Sequence, residues 1–176
     1  WWANLHHGNQ PRLPLQPVTT GGTGTVTVSV RGETSDDIFT RFHLQATDFG
    51  GLTVEVTRDI QPRKVQVSLA TVPAGLTLGL DGVPVIAQPH AFTGVVGMKR
   101  DLSAADQQFN GRNWGFGSWS DGGAPIHTID TPATNTTYIA TFTDLGPIVN
   151  QPPVPMITSP AGGAIVTFVL PLAENL

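Results

Sequence analysis

Apolar and polar residues alternate along most of this chain, and the alternation predicts strands. Residues 24–30, GTVTVSV, place Thr or Ser between successive valines, the period of a strand with one buried face. After a turn cluster at 32–37, residues 38–47 set Ile38, Phe42 and Leu44 on one face and Phe39, Arg41, His43 and Gln45 on the other. Asp48-Phe49-Gly50-Gly51 then turns the chain into residues 52–60, which predicts a long hairpin. Gln61-Pro62-Arg63 breaks this pattern, and VQVSLA at 65–70 opens a second one. Residues 76–80 and 83–87 flank Asp81-Gly82, and a two-residue Asp-Gly between apolar alternations is a strong hairpin signal. Further strands are predicted near 92–98, 114–119, 126–129 and 136–142. Residues 146–155, GPIVNQPPVP, read as a stiff proline-rich linker, and 156–170 carry one or two more strands. Only LSAADQQ at 102–108 escapes interruption by Gly, Pro or β-branched residues and admits a short helix.

Composition sharpens this picture. Charged residues make up 12% of the chain, about half the usual share, while Gly (20) and Pro (15) are plentiful, so turns and strands dominate. The spacing of strands and turns predicts an all-β protein made of tandem immunoglobulin-like antiparallel β-sandwiches, one over residues 1–63 and one over 64–145. A net charge of −4 with two lysines, Lys64 and Lys99, provides no basic patch for nucleic acid or anionic lipid. Cysteine is absent, which excludes a disulfide scaffold, a thiolate zinc site and a cysteine nucleophile. No apolar run reaches the roughly 20 residues that span a bilayer, and WWANLHHG lacks the features of a signal peptide, so any export signal would have to lie upstream. The closing Ala173-Glu174-Asn175-Leu176 resembles the start of a tag-removal protease site.

Candidate chemistry is sparse. His6 and His7 are adjacent, so on a strand they point to opposite faces and cannot share a metal without distortion; His43 is the other histidine of this region. Asp36, Asp37, Asp48 and Asp59 are calcium candidates if they gather at one end of a sandwich, although turn-capping roles explain Asp36 and Asp48 equally well. No GxSxG elbow or suggestive Ser-His-Asp set is present, so no catalytic residue and no cofactor are expected. Trp114 and Phe116 alternate with glycines in NWGFGSW and share a face, which could stack on sugar rings. Trp119 joins that face only if a bulge shifts the register, and its place before Asp121-Gly122-Gly123 suits a core residue.

Several stretches together carry a resemblance. They are Leu5-His6-His7, TGTVTVSV, Gly32-Glu33-Thr34-Ser35, LQATDFGGLT and Arg58-Asp59-Ile60-Gln61-Pro62-Arg63, followed by AGLTLGLDGVPV, Val95-Val96-Gly97, Trp119-Ser120-Asp121-Gly122-Gly123, His127-Thr128-Ile129 and Thr136-Thr137-Tyr138. Over about residues 4–145 the chain resembles the PKD-like and following immunoglobulin-like accessory modules of bacterial secreted quinoprotein sugar dehydrogenases of the glucose/sorbosone type and other multimodular carbohydrate-active proteins. The resemblance implies an extracellular location, secreted or on the cell surface, and a non-catalytic role as a spacer or carbohydrate-binding module with polysaccharide as partner. It brings no activity, because the catalytic propeller of that family has no counterpart here. In the family the first module opens with a stretch similar to residues 153–168, PVPMITSPAGGAIVTF, which here stand at the other end. That arrangement implies a first sandwich short of its opening strands and a spare strand within 146–172. A second expectation follows, a structural subunit that self-associates head to tail into a filament through this C-terminal strand.

Overall fold

The computed structural model describes residues 1–8, 13–31, 34–87 and 89–149, and every regular element among them is a strand. Strands β1 (Trp2–His7), β2 (Leu13–Gln16), β3 (Ile38–Thr47) and β4 (Thr53–Ile60) form one antiparallel sheet in the order β2-β1-β3-β4. The β3–β4 hairpin pairs Thr40 with Ile60 and Thr47 with Thr53, and the predicted alternation holds along its length. Asp48 closes the turn: its Oδ1 accepts a bond from the Leu52 N–H at 2.9 Å, and its carbonyl accepts one from Gly51.

Among the described residues this first unit is a single sheet, not the expected sandwich. Two of the valines of residues 24–30 turn inward as predicted, with Val26 and Val28 half-buried and Thr25 and Thr27 exposed, whereas Val30 is exposed. Yet the segment is not a strand, because among the described residues no neighbour offers it a ladder of backbone hydrogen bonds. Alternation sets the direction of side chains, whereas a strand also needs a partner.

Nine further strands follow the short Gln61-Pro62-Arg63 link: β5 (Lys64–Val72), β6 (Thr77–Leu80), β7 (Val83–Ile86), β8 (His90–Val95), β9 (Lys99–Ser103), β10 (Gln107–Phe109), β11 (Arg112–Trp119), β12 (Ile126–Asp130) and β13 (Thr136–Pro147). They make a five-stranded sheet, β10-β11-β13-β5-β8, and a four-stranded sheet, β12-β9-β6-β7. All pairings are antiparallel except β13 with β5. Both sheets contribute to one core, in which Val67, Leu69, Leu78, Leu102, Trp119 and Ala140 are buried, the packing of a β-sandwich. Asp81 and Gly82 form the two-residue turn between β6 and β7 with φ of 51° and 78°, the left-handed geometry that Asp-Gly accommodates most easily.

Residues 102–108 form no helix. Leu102 is fully buried as a β9 residue, and the Gln107 side chain bonds both Thr77 N–H and Thr77 carbonyl, so side-chain pairing with β6 outweighs weak helical propensity. The strand expected at 92–98 ends at Val95, where a turn through Gly97 leads into β9. Strand β13 continues to Pro147, into the expected linker.

The first sheet meets the sandwich at the β8–β9 turn. Leu5 and Ile38 pack with Val95 and Met98, flanked by Leu15 and Val28. The Val96 N–H donates to the Arg63 carbonyl and the Lys99 N–H to the Val30 carbonyl, each at 2.9 Å.

Candidate interaction site

The sheet of β1–β4 is two-sided in chemistry. One face carries Trp2, Asn4 and His6 from β1 beside Phe39, Arg41 and His43 from β3, with Glu55 and Asp59 from β4. Polar pairs and ring stacks organise this face. The Trp2 and His43 rings stack at 4.6 Å, His6 stacks on Phe39 at 4.7 Å, and His43 Nδ1 lies 2.7 Å from Glu55 Oε1. Arg41 grips Asp59 through Nε and a terminal nitrogen at 2.6 and 2.7 Å, and these bonds hold the Asp59 carboxyl below its ordinary pKa.

This pair sets a pH dependence. A carboxylate whose folded pKa lies below the unfolded value of about 3.9 stabilises the fold above that value and loses the contribution as pH falls through the folded pKa. Asp144, whose pKa is lowered by Arg112 and then by the Gly146 N–H, acts in the same direction. Thermal melts are therefore expected to lose stability below about pH 4, as these two carboxylates protonate. In Asp59→Asn the acid drop should be smaller; an equal drop would show that this pair does not contribute.

The opposite face is mostly apolar, although His7, Thr40 and Arg58 also fall on it by register. Ala3 and Leu5 of β1, Ile38, Phe42 and Leu44 of β3, and Val54, Val56 and Ile60 of β4 share it by register. At the end near the sandwich, Val95, Met98 and Val28 cover it and leave a groove of about 280 Å³ lined by Leu5, Ile38 and Ile60. Toward the hairpin tip it is open, with Leu44 55%, Val54 61% and Val56 57% exposed. Fully burying a Val, Leu or Ile side chain contributes about 1.5–3 kcal/mol, so several such groups side by side make this face a strong candidate for covering. The ribbon 24–30 borders it. Trp1 lines hollows there with Phe42 and Leu44, and its ring lies so close to Gly24 that a Cβ on Gly24 would stand 2.1 Å away. The strand patterns alone do not say whether a second sheet is present; a first sandwich short of its opening strands was the expectation carried by the resemblance.

The expected sugar platform is turned inward. Trp119 is 3% exposed within the core, and its indole N–H points to the Pro125 carbonyl at 3.4 Å. Trp114 and Phe116 are half-buried and pack against the same core, with the Trp114 indole N–H donating to the Phe109 carbonyl. A bulge brings all three together: the register between β11 and β13 skips Gly117, between Phe116 opposite Phe142 and Ser118 opposite Thr141. A Cβ on Gly117 would stand 2.9 Å from the Thr141 carbonyl oxygen, which restricts the bulge position to glycine.

The calcium candidates do not gather. Asp48 sits at the hairpin tip, Asp59 is held by Arg41, and Asp36 and Asp37 lie at the other end of β3 from Asp48, roughly 30 Å away along an extended strand. His6 and His7 fall on opposite faces of β1, as adjacency requires. His127 engages Asp121 and the Ala124 carbonyl at 3.0 and 2.8 Å. Among the described residues no group of three or more His, Cys, Asp or Glu side chains is placed to share a metal ion. Residues 156–170, the expected extra strand, lie outside the described residues. No protein-family model matches the chain, and no curated protein or solved structure does so.

Proposed function

We propose that this chain is a non-catalytic, immunoglobulin-like spacer of a secreted or cell-surface protein. The observation that carries this reading is that the aromatic and ionisable side chains best suited to chemistry are engaged in structure: Trp119 in the core, Asp48 in a turn, Asp59 on Arg41 and His127 on Asp121. The inward turn of Trp114 and Phe116 favours a spacer over a sugar-binding module, since sugar stacking uses exposed aromatic faces. The resemblance to PKD-like accessory modules agrees with both the sandwich and the location. Incubation with insoluble polysaccharides should leave the protein in the supernatant. Retention that is lost in Trp114→Ala would replace the spacer reading with carbohydrate binding.

The open apolar face favours a second reading, a structural subunit that self-associates. Light scattering across a concentration series tests it: mass should climb above 18.6 kDa as concentration rises, and a constant monomer mass would refute it.

A further inference from the structure

We infer that residues 165–170 of one copy insert as a β-strand beside the ribbon 24–30 of the next copy, covering the open face of its first sheet. This rests on the self-association reading and names the occupant.

The acceptor is defined by three features. Leu44, Val54 and Val56 form an apolar patch that is exposed toward the hairpin tip, bordered by half-buried Phe42 and by Arg58, which stands opposite Phe42 on the same face. The ribbon above it is extended, with Val26 and Val28 inward, and among the described residues the backbone groups of 22–29 have no backbone partner. Trp1 Nε1, in the lining of the adjoining hollows, is buried with no acceptor among the described residues, which an incoming carbonyl would supply. Among the described residues these form one sheet with a single extended segment above it, and that segment has no neighbour. An added strand would pair with the ribbon's idle N–H and C=O groups while its inward side chains filled the apolar gap.

The donor matches this chemistry. Ile165-Val166-Thr167-Phe168-Val169-Leu170 is β-branched and apolar, and residues 160–172 contain no charged group. Alternation puts Val166, Phe168 and Leu170 on one side, large enough to fill the space above Leu44 and Val56, with Ile165, Thr167 and Val169 on the other.

The path of the chain selects a neighbouring copy. Strand β5 starts at Lys64, directly after the first unit, and β13 runs parallel to it with Thr136 opposite Val67. From Thr136 to Pro147 β13 advances roughly 35 Å away from the first unit, at about 3.3 Å per residue. Ile148 is fixed there by its N–H bond to the Gly111 carbonyl, at the β10–β11 turn. The chain therefore leaves at the pole opposite its own open face, and Pro152, Pro153 and Pro155 favour continued extension. Residues 150–164 span at most about 54 Å when straight, so a return to the same molecule needs a reversal at these prolines and then a path that retraces the roughly 35 Å covered by β13. Insertion into the next molecule needs neither, and repeats head to tail without closing.

Because the chain has no cysteine, disulfide trapping reads this contact directly. Full-length Thr27→Cys and Thr167→Cys chains, mixed and oxidised, should link into a heterodimer of twice 18.6 kDa, and the double variant should form a ladder of higher multiples. Val56→Asp, at an already exposed position, should suppress both, and Thr57→Cys on the polar face should not link to Thr167→Cys. A double variant that stays at single-chain mass with an internal disulfide would overturn the proposal in favour of the molecule's own segment. An assembly that stops at two chains without a 27–167 link, through two open faces packing together, would overturn the donor while self-association stood. A chain that is monomeric at all concentrations would overturn both.

Discussion

Replacing Trp119 with alanine is expected to lower the unfolding free energy of residues 64–147 by about 3–5 kcal/mol, the range for deleting a large aromatic from a packed core. The indole is held from several sides. Phe116 stands 6.5 Å away at a tilted angle, and the His127 ring meets it edge-on at 5.5 Å. Its N–H has the Pro125 carbonyl as acceptor, and that carbonyl keeps the Ala104 N–H as a partner, so the loss arises from packing rather than from an orphaned acceptor. The surrounding strands are tied into two ladders and cannot collapse into the space, so most of the cavity should persist. Urea denaturation followed by far-ultraviolet circular dichroism measures the change. Trp114→Ala, at a half-buried position, should cost clearly less; equal losses would mean that Trp119 is not the centre of this core.

Arg100→Ala is expected to destabilise the same unit by about 2–4 kcal/mol. Breaking a buried ion pair costs about 3–5 kcal/mol, and partial exposure of the abandoned carboxylate moderates the loss. Arg100 is 7% exposed, and its Nε and a terminal nitrogen reach Asp81 Oδ2 at 2.7 and 2.6 Å. Its guanidinium also lies 4.5 Å from the Phe92 ring centre, a cation–π contact that joins the two sheets. Asp81 serves two tasks here. Its backbone makes the β6–β7 turn, and its other carboxylate oxygen accepts the Asp101 N–H at 2.9 Å, so the turn is anchored to β9. The double variant Asp81→Ala with Arg100→Ala should therefore lose less than the sum of the single losses, by at least about 0.5 kcal/mol. Strict additivity in a double-mutant cycle would rule out the coupling.

Much of this was legible from residue order alone. Period-two alternation placed the β3–β4 hairpin and sorted its faces correctly, because consecutive side chains on a strand must point to opposite sides. Asp81-Gly82 announced its turn because positive φ is an intrinsic preference of that dipeptide. The buried place of Trp119 also followed from the strand that enters Asp121-Gly122-Gly123. The Arg100–Asp81 pair was not foreseen, since it joins residues of separate strands and neither stands in a suggestive motif.

What neighbouring residues specify is local: the facing of a side chain, the hand of a turn, the direction of an N–H. Pairing between distant segments obeys different constraints. GTVTVSV has the composition and period of a strand, yet the second strand it would need is absent among the described residues, so its backbone stays without a ladder. NWGFGSW left two outcomes open for Trp119, and only the β13 partner decided between them, by skipping Gly117 and drawing three aromatic rings onto one face. Parallel pairing of β13 with β5 was equally invisible in either strand, but it carries the chain away from its own open sheet. Register, bulges and the cover over a face arise from contacts made across the fold, where each strand's preference is satisfied only by what lies beside it.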